Sequence, residues 1–345
     1  GGNYLYSRGC YLDIFNVEYK KMKNVAIIAG GNSSEYGVSM QSGKNIYDQV
    51  DETRYNKYLL ILKGRDWHVE IGDEKYPVDK NDFSFTRDGE KIMFDFAYIT
   101  IHGNPGENGL LQGYLDMMGV PYGGCNVLAS ALTFDKHTCN TYLKSYGVNV
   151  ANAVMLIRGM EYDVNEIIEE VGLPCFVKPN AEGSSFGVTK VKEAAQLEEA
   201  LQKAFALCHE VLIETFINGT ELTCGVVKAG DMNFAMPIAE VIPKKEFFDF
   251  EAKYDPKMSD EIIPARISPE LTNRIKTLSS MIYDILRCDG IIRVDYIVRD
   301  DEIFMLEVNT TPGMTSNSFV PKMVRAMGGT LREVLTKIIE YKLSR

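Results

Sequence analysis

The sequence predicts a protein of mixed α/β and α+β class with two or three domains, and three observations support this. Its 345 residues exceed the length of one typical domain. Residues 24–31 form an apolar run that ends in glycines and precedes a helical pattern, as in the opening of an open α/β sheet. Residues 291–298 and 303–308 are β-branched runs, as expected for two neighbouring strands.

Composition limits the function classes. A net charge of −11 argues against a nucleic-acid partner, because phosphate backbones need a basic surface. Seven scattered cysteines without a C-x-x-C pair indicate neither disulfides nor zinc and fit a reducing cytoplasm. No run reaches the roughly 18 apolar residues of a membrane span. Residues 1–21 lack the apolar core of a signal peptide and are expected to be an extension, with the folded unit beginning at Met22.

The first unit is predicted to be the open sheet. After the strand at 24–31, residues 32–50 are helical, and Glu35 lies in the turn where such sheets bind ligands. Strands at 58–62 and 94–101 follow, and His102 opens the glycine-rich loop H-G-N-P-G-E-N-G before a helix at 110–118. Neither a dinucleotide fingerprint nor a G-x-x-x-x-G-K-[ST] loop occurs. If ATP binds here, it is not bound by one of these familiar phosphate-binding loops.

A linker at 121–124 and a helix at 127–146 carrying Lys136 come next. The strand at 171–179 has Lys178 near its end and precedes N-A-E-G-S-S-F-G at 180–187. Small residues allow backbone N–H groups to form an anion nest or a mobile lid, although an ordinary hairpin turn fits equally well. A strand at 188–191 and an amphipathic helix with Leu197, Leu201 and Phe205 complete this α+β module.

The last part alternates strands and helices. A strand at 210–216 leads into I-N-G-T-E-L-T, and Glu214 and Glu221 lie on either side of this junction. Strands follow around 226 and 238, and the polar segment 244–264 is long enough to be a functional loop. Ser268-Pro269 begins a helix that Gly290 is placed to end. A capping box of Thr330 and Glu333 starts the terminal helix, whose core residues are 331, 334, 335, 338 and 339.

Polar side chains on the two late strands predict a metal site. Glu307 and Asn309 are two apart and share a face, as do Arg293 and Asp295. Carboxylate and amide oxygens suit Mg²⁺ held jointly with phosphates, and lysines 136, 178 and 253 can supply positive charge. Ordinary strand-end residues, a structural salt bridge and solvated lysines are the alternatives. Together the residues favour phosphoryl transfer without a Walker loop.

From Met22 onward the chain resembles the D-alanine–D-alanine ligases of the ATP-grasp superfamily. The resemblance rests on seven ordered blocks: G-G-N-S-S-E-Y-G-V-S, H-G-N-P-G-E-N-G-L-L-Q-G, F-D-K, V-K-P-N-A-E-G-S-S-F-G, E-A-K-Y, R-V-D-Y and L-E-V-N-T-T-P-G-M-T-S-N-S. It implies an N-terminal α/β domain at 22–124, a central ATP-grasp domain at 125–216 and a C-terminal one at 217–345.

The resemblance implies ATP-dependent joining of two D-alanines through an acylphosphate, for peptidoglycan precursors, with two Mg²⁺ (or Mn²⁺). Glu35 would hold the first ammonium, and Ser184 and Tyr254 would close the site over it. Arg293 and the Gly313 N–H would form the oxyanion hole. The remaining implied roles are ATP binding by Lys136, Lys178, Ser185, Glu214, Thr215, Ile217, Glu221 and Lys253, second-substrate binding by Ser318 and Phe319, a place near the substrates for His102, and metal binding by Asp295, Glu307 and Asn309.

This chain departs from the family at several positions. Tyr36-Gly37 replaces a polar pair after the glutamate, Phe319 replaces a common leucine, and Phe248 and Phe250 replace tyrosines of some relatives. Ligation with D-serine or D-lactate as second substrate and a non-catalytic ATP-binding regulator remain alternatives. His102 can equally serve to order its loop. The sequence leaves a homodimer open and predicts no membrane partner.

Overall fold

The computed structural model describes residues 21–181, 187–243 and 259–345. Within these ranges the strands form three sheets, with helices packed against them. The strands are β1 Lys23–Gly30, β2 Tyr55–Lys63, β3 Asp66–Ile71, β4 Glu74–Asp79, β5 Ser84–Arg87, β6 Glu90–Met93, β7 Phe96–Ile99, β8 Tyr122–Gly123, β9 Ala153–Ile157, β10 Cys175–Pro179, β11 Thr189–Val191, β12 Glu210–Thr215, β13 Thr220–Ala229, β14 Met232–Ala235, β15 Ala239–Pro243, β16 Ser259–Ile262, β17 Gly290–Arg299 and β18 Glu302–Asn309. The helices are α1 Tyr36–Gln49, α2 Leu110–Met118, α3 Val127–Phe134, α4 Lys136–Lys144, α5 Val164–Val171, α6 Leu197–Leu207, α7 Pro269–Ile285, α8 Phe319–Ala326 and α9 Leu331–Leu343.

The first sheet has eight strands in the order β6-β5-β4-β3-β2-β1-β7-β8. Its centre is parallel, β1 pairing with β2 and β7, which confirms the predicted α/β opening. Residues 66–93, for which no strand was predicted, extend the sheet as antiparallel hairpins. The predicted linker at 121–124 is wrong in part, because Tyr122–Gly123 forms the edge strand β8 beside β7.

The single helix predicted at 127–146 is two helices. The helix is interrupted at Asp135, where the backbone is extended. The Asp135 carboxylate accepts a hydrogen bond from the Thr138 N–H at 2.8 Å. An aspartate that caps a new helix competes with continuation of the old one. Both helices pack against β18 of the third sheet.

The second sheet has four strands, β11-β10-β12-β9, with α5 and α6 against it. Its buried residues include Val177, Ile213, Leu197 and Leu201, so the predicted amphipathic helix is confirmed. The strand predicted at 171–179 is shorter, since α5 continues to Val171.

The third sheet contains β16-β15-β13-β17-β18, and β14 pairs with β13. β17 and β18 are antiparallel neighbours, as predicted. Two predictions are wrong here. Residues 259–262, placed in the long loop, form β16, and Gly290 begins β17 instead of ending α7. Gly290 has φ +68°, and a Cβ there would lie 3.0 Å from the Gly124 nitrogen, so this close approach requires glycine.

Helix starts follow the predicted chemistry. The Ser268 hydroxyl accepts a hydrogen bond from Leu271 N–H ahead of α7, and Thr330 with Glu333 forms the capping box of α9. The three sheets lie within residues 23–123, 153–215 and 220–309. The domain boundaries themselves stay a prediction. Among the described residues no helix has the length and apolar character needed to cross a bilayer.

Candidate active site

One face of the third sheet gathers the predicted metal-binding side chains. Asp295 is the pairing partner of Thr223 on β13 and of Glu307 on β18, while Arg293 pairs with Asn309. Paired residues of antiparallel strands point to the same face, and so do residues two apart. The structure therefore brings together Arg293, Asp295, Glu307 and Asn309, as the sequence indicated. Glu221, two residues before Thr223, lies on this face too.

Asp295 is held in a fixed orientation. Arg293 donates to it from Nε and Nη2, both at 2.8 Å, the Thr223 hydroxyl donates at 2.5 Å, and Asn309 Nδ2 donates at 3.2 Å. The guanidinium also lies over the Phe319 ring, 5.2 Å from its centroid. The salt bridge left open by the sequence is thus present, and it orients the same groups that would meet a cation.

The donor set fits a hard divalent cation. Because the Asn309 amide nitrogen is bonded to Asp295, its oxygen is the atom that can bind a metal beside the two carboxylates. The described residues contain no group of three or more His, Cys, Asp or Glu side chains suited to a metal. Two carboxylates and an amide oxygen, completed by oxygens of a bound phosphate, would fit Mg²⁺, which is commonly held by few protein ligands together with substrate phosphates.

Glu35 occupies the turn between β1 and α1 and is 4% exposed. The neighbouring His102 is equally buried. Burial lowers the pKa of His102, and the nearby Glu35 charge opposes this shift. His102 is therefore neutral near pH 7.

The position of the His102 proton follows from its partners. Its Nδ1 lies 3.0 Å from the Thr311 carbonyl oxygen, which can only accept, so Nδ1 carries the hydrogen. Its Nε2 then accepts from the Ser42 hydroxyl at 3.3 Å. His102 orders the chain between the first sheet and residue 311, whereas its contact with a substrate stays a prediction.

The segment after β18 carries three predicted residues. A Cβ at Gly313 would lie 2.9 Å from Ser318 Oγ, so a side chain would crowd the turn. Ser318 is the N-cap position of α8, and its Oγ accepts from the Thr315 N–H at 3.0 Å. Phe319 is the first residue of α8, so its N–H belongs to the helix turn that lacks internal acceptors. This turn is suited to an anion.

Two of the predicted nucleotide residues lie on the neighbouring inner strands of the second sheet. Lys178 on β10 forms an ion pair with Glu214 on β12. Lys136 begins α4, where the side chain of Asn180 accepts from the His137 N–H at 2.9 Å. Asn180 thus ties the end of the Lys178 strand to the start of the Lys136 helix.

Two other predicted nucleotide-binding residues, Thr215 and Ile217, make contacts within the protein. The Thr215 hydroxyl donates to the Val171 carbonyl at 2.7 Å, so it is directed at α5. Ile217 is 4% exposed and follows β12 directly. Four predicted site residues lie outside the described residues: Ser184, Ser185, Lys253 and Tyr254. The departures Phe248 and Phe250 lie there too.

Sequence reasoning missed three polar residues that shape the site. Thr223 bonds Asp295 and could have been found by its two-residue spacing from Glu221. Asn180 is fully buried after β10, a position where the sequence indicated only a loop. Glu107 accepts from the Gly103 N–H at 2.9 Å, and burial beside Glu35 raises the pKa of its carboxyl to about 7. Its hydrogen bond to Gly103 is local, but the nearby Glu35 charge comes from a distant part of the chain, so the sequence does not indicate the raised pKa of Glu107.

Two family models cover most of the chain. The model described as D-ala D-ala ligase N-terminus matches residues 24–125, and the one described as D-ala D-ala ligase C-terminus matches residues 142–340. This chain belongs to the D-alanine–D-alanine ligase family. The family prediction, with its three-domain ATP-grasp fold class, is confirmed.

Individual relatives agree. A D-alanine–D-alanine ligase of Bacteroides fragilis strain YCH46 is 54% identical over 322 residues, covering 93% of this chain and 99% of the relative. Among solved structures, the VanG D-Ala:D-Ser ligase of Enterococcus faecalis has a TM-score of 0.83 at 32% identity, covering 93% of this chain and all of that one. A D-alanine–D-alanine ligase of Bacillus anthracis complexed with ATP has a TM-score of 0.75 at 29% identity, covering 93% and 98%.

Proposed function

We propose that this chain joins two D-alanine molecules to D-alanyl-D-alanine while converting ATP to ADP and phosphate. The observation that carries the proposal is the shared sheet face of Arg293, Asp295, Glu307 and Asn309 in a chain with these relatives. In the first step a carboxylate oxygen of one D-alanine bonds to the γ-phosphorus and ADP leaves. In the second step the amine of another D-alanine attacks the acylphosphate carbonyl, loses a proton, and phosphate leaves.

The nucleotide would lie between the second and third sheets. Asp295, Glu307 and Asn309 would hold two Mg²⁺ or Mn²⁺, which neutralise phosphate charge when bound. Lys136 and Lys178 would contact phosphates. The ion pair with Glu214 on the neighbouring strand β12 would hold Lys178 until a phosphate competes for it. Residues 215, 217 and 221 would line the adenine and ribose, together with Ser185 and Lys253 from outside the described ranges.

The amino-acid substrates would lie between α1 and α8. Glu35 would bind the first ammonium, since its buried carboxylate stands at the β1–α1 turn. Arg293 and the Gly313 N–H would stabilise the oxyanion of the tetrahedral intermediate. Ser318 and the first turn of α8 would receive the second carboxylate. Ser184 and Tyr254 would close over the site and keep water from the acylphosphate.

Two features support a reducing cytoplasm as the location. The six cysteines in the described ranges are free thiols. The substrates proposed here are intracellular metabolites that are small and polar. Disulfide bonds would be expected in an oxidising compartment far more often than buried free thiols.

The experiment is a coupled assay of ADP release with ATP and Mg²⁺, with products identified by mass spectrometry. D-Alanine should stimulate ADP release and yield the dipeptide, whereas L-alanine should not. Asp295→Asn is the matched variant of nearly equal volume, and it should lose most activity. Failure of D-alanine to stimulate ADP release in the wild type would instead favour a nucleotide-binding regulator.

D-Serine as second substrate is the competing proposal, because the VanG relative is a D-Ala:D-Ser ligase. The higher identity to the Bacteroides relative favours D-alanine. Equimolar D-alanine and D-serine in one reaction decide between them, with D-lactate in a parallel reaction. A mixed product in excess over D-alanyl-D-alanine near neutral pH would overturn the choice of D-alanine.

A further inference from the structure

Helix α1 reaches from Glu35 to the segment that carries Gly313. Ser42 lies seven residues after Glu35, which places both on one face of the helix, and Asn45 follows three residues later. The Ser42 hydroxyl accepts from the Met314 N–H at 3.1 Å. The Asn45 amide donates to the Met314 carbonyl oxygen at 2.6 Å. Both polar groups of one backbone residue are therefore held by α1, across more than 260 positions of sequence.

His102 extends this contact. Ser42 is fully buried, and its hydroxyl donates to His102 Nε2 while accepting from Met314. His102 in turn donates from Nδ1 to the Thr311 carbonyl at 3.0 Å. Hydrogen bonds to residues 311 and 314 thus bracket Gly313 on both sides, and each donor has one acceptor.

The segment also borders a small internal cavity. A cavity lined by Gln112, Thr310, Thr311, Pro312 and Met314 lies there. Within the described part of the chain, Gln112 Oε1 and Thr310 Oγ1 are buried at this cavity without a hydrogen-bond partner. On the α1 side, by contrast, both backbone polar groups of Met314 are hydrogen-bonded.

We propose that Ser42 and Asn45 are positioning residues that fix the Gly313 N–H relative to Glu35. This rests on the proposed function, in which Glu35 holds the ammonium and Gly313 faces the carbonyl of the same first substrate. The rise from Glu35 to Ser42 is about 10 Å along a rigid helix. Helix α1 thereby sets the reach between the two binding groups and selects an α-amino acid over a β-amino acid, whose ammonium and carboxyl groups are one carbon further apart.

The test compares Ser42→Ala and Asn45→Asp with the control Ser279→Ala. Asn45→Asp keeps the side-chain volume but replaces the donor with an acceptor facing the Met314 carbonyl. Ser279 is as buried as Ser42, and its hydroxyl contacts Ile275 and Tyr296, away from α1. Both α1 variants should lower kcat about tenfold or more, which is the scale of a misplaced transition-state donor, with KM for ATP within about twofold. Their preference for D-alanine over β-alanine in ADP release should fall, and the control should keep wild-type values.

Hydrogen exchange of the peptide containing Met314 gives a readout that does not require activity. Exchange of this amide should be at least about tenfold faster in Ser42→Ala than in wild type, because the amide loses its acceptor. Wild-type kcat in both α1 variants, or unchanged exchange in Ser42→Ala, would overturn the proposal. If Ser42→Ala does not fold, Asn45→Asp decides the question by its kcat relative to wild type, because Asn45 is only partly buried. A wild type that is inert with D-alanine would refute the proposed function, while the exchange data would still report on the contact.

Discussion

Replacing Glu107 by glutamine should stabilise the protein at alkaline pH. Burial beside Glu35 raises the pKa of the Glu107 carboxyl from 4.5 to about 7. A group whose folded pKa is raised favours folding while it is protonated, and this stability is lost as pH rises from the unfolded value through the folded one. The window here is about pH 4.5 to 7. At about 1.4 kcal/mol for each pH unit, the loss reaches about 3 kcal/mol above that window.

Glutamine is a matched replacement, because its amide oxygen can still accept from the Gly103 N–H while the charge is removed. The variant should have nearly the wild-type Tm at about pH 4 and a Tm several degrees higher at about pH 8. Differential scanning calorimetry at several pH values measures the difference. Glu90→Gln, at an exposed hairpin position, is the control and should show no such trend.

A Tm difference between Glu107→Gln and wild type that does not grow with pH would refute the reasoning. A variant less stable than wild type at about pH 8 would show that the ionised carboxylate stabilises the loop, contrary to the pKa direction. The same experiment therefore tests both the burial of Glu107 and the sign of its interaction with Glu35.

Three further predictions concern the site. Glu307→Gln should raise the Mg²⁺ concentration needed for half-maximal ADP release, and an unchanged Mg²⁺ titration would contradict its role. Phe319→Leu removes the ring that lies against Arg293, a contact worth about 1 kcal/mol, so kcat should fall about fivefold. Steady-state kinetics measure this, and a wild-type kcat would show that the contact does not contribute to turnover. Tyr254→Phe should relax the choice of second substrate, measured as the product ratio with D-alanine and D-serine, and an unchanged ratio would refute it.

Local spacing made much of the site predictable. Residues two apart on a strand share a face by backbone geometry, so Glu307 with Asn309 and Arg293 with Asp295 could be paired without coordinates. Their meeting across β17 and β18 needed only that two successive strands be neighbours, which is the common case. Helix starts at Ser268 and Thr330 were predictable because capping is local chemistry.

The missed elements have identifiable reasons. Two of the turns within residues 66–93 lie at Gly72 and at Asp88-Gly89, where all three residues have positive φ. The glycine and the Asp-Gly dipeptide were available in the sequence as turn signals. The break at Asp135 required weighing a capping aspartate against an otherwise continuous helical pattern. Strand β16 could not be recognised alone, since its pairing with β15 makes it a strand.

By itself the sequence determined the family, the pairing of the two late strands and the chemical character of the metal-binding face, since these depend on residue type and short spacing. Only the tertiary structure decided that α1 forms hydrogen bonds with the Met314 backbone, that Glu107 lies near Glu35, and that Thr223 and Asn309 orient Asp295. Those contacts join residues far apart in the chain. Their geometry depends on how sheets and helices pack, which no local pattern encodes.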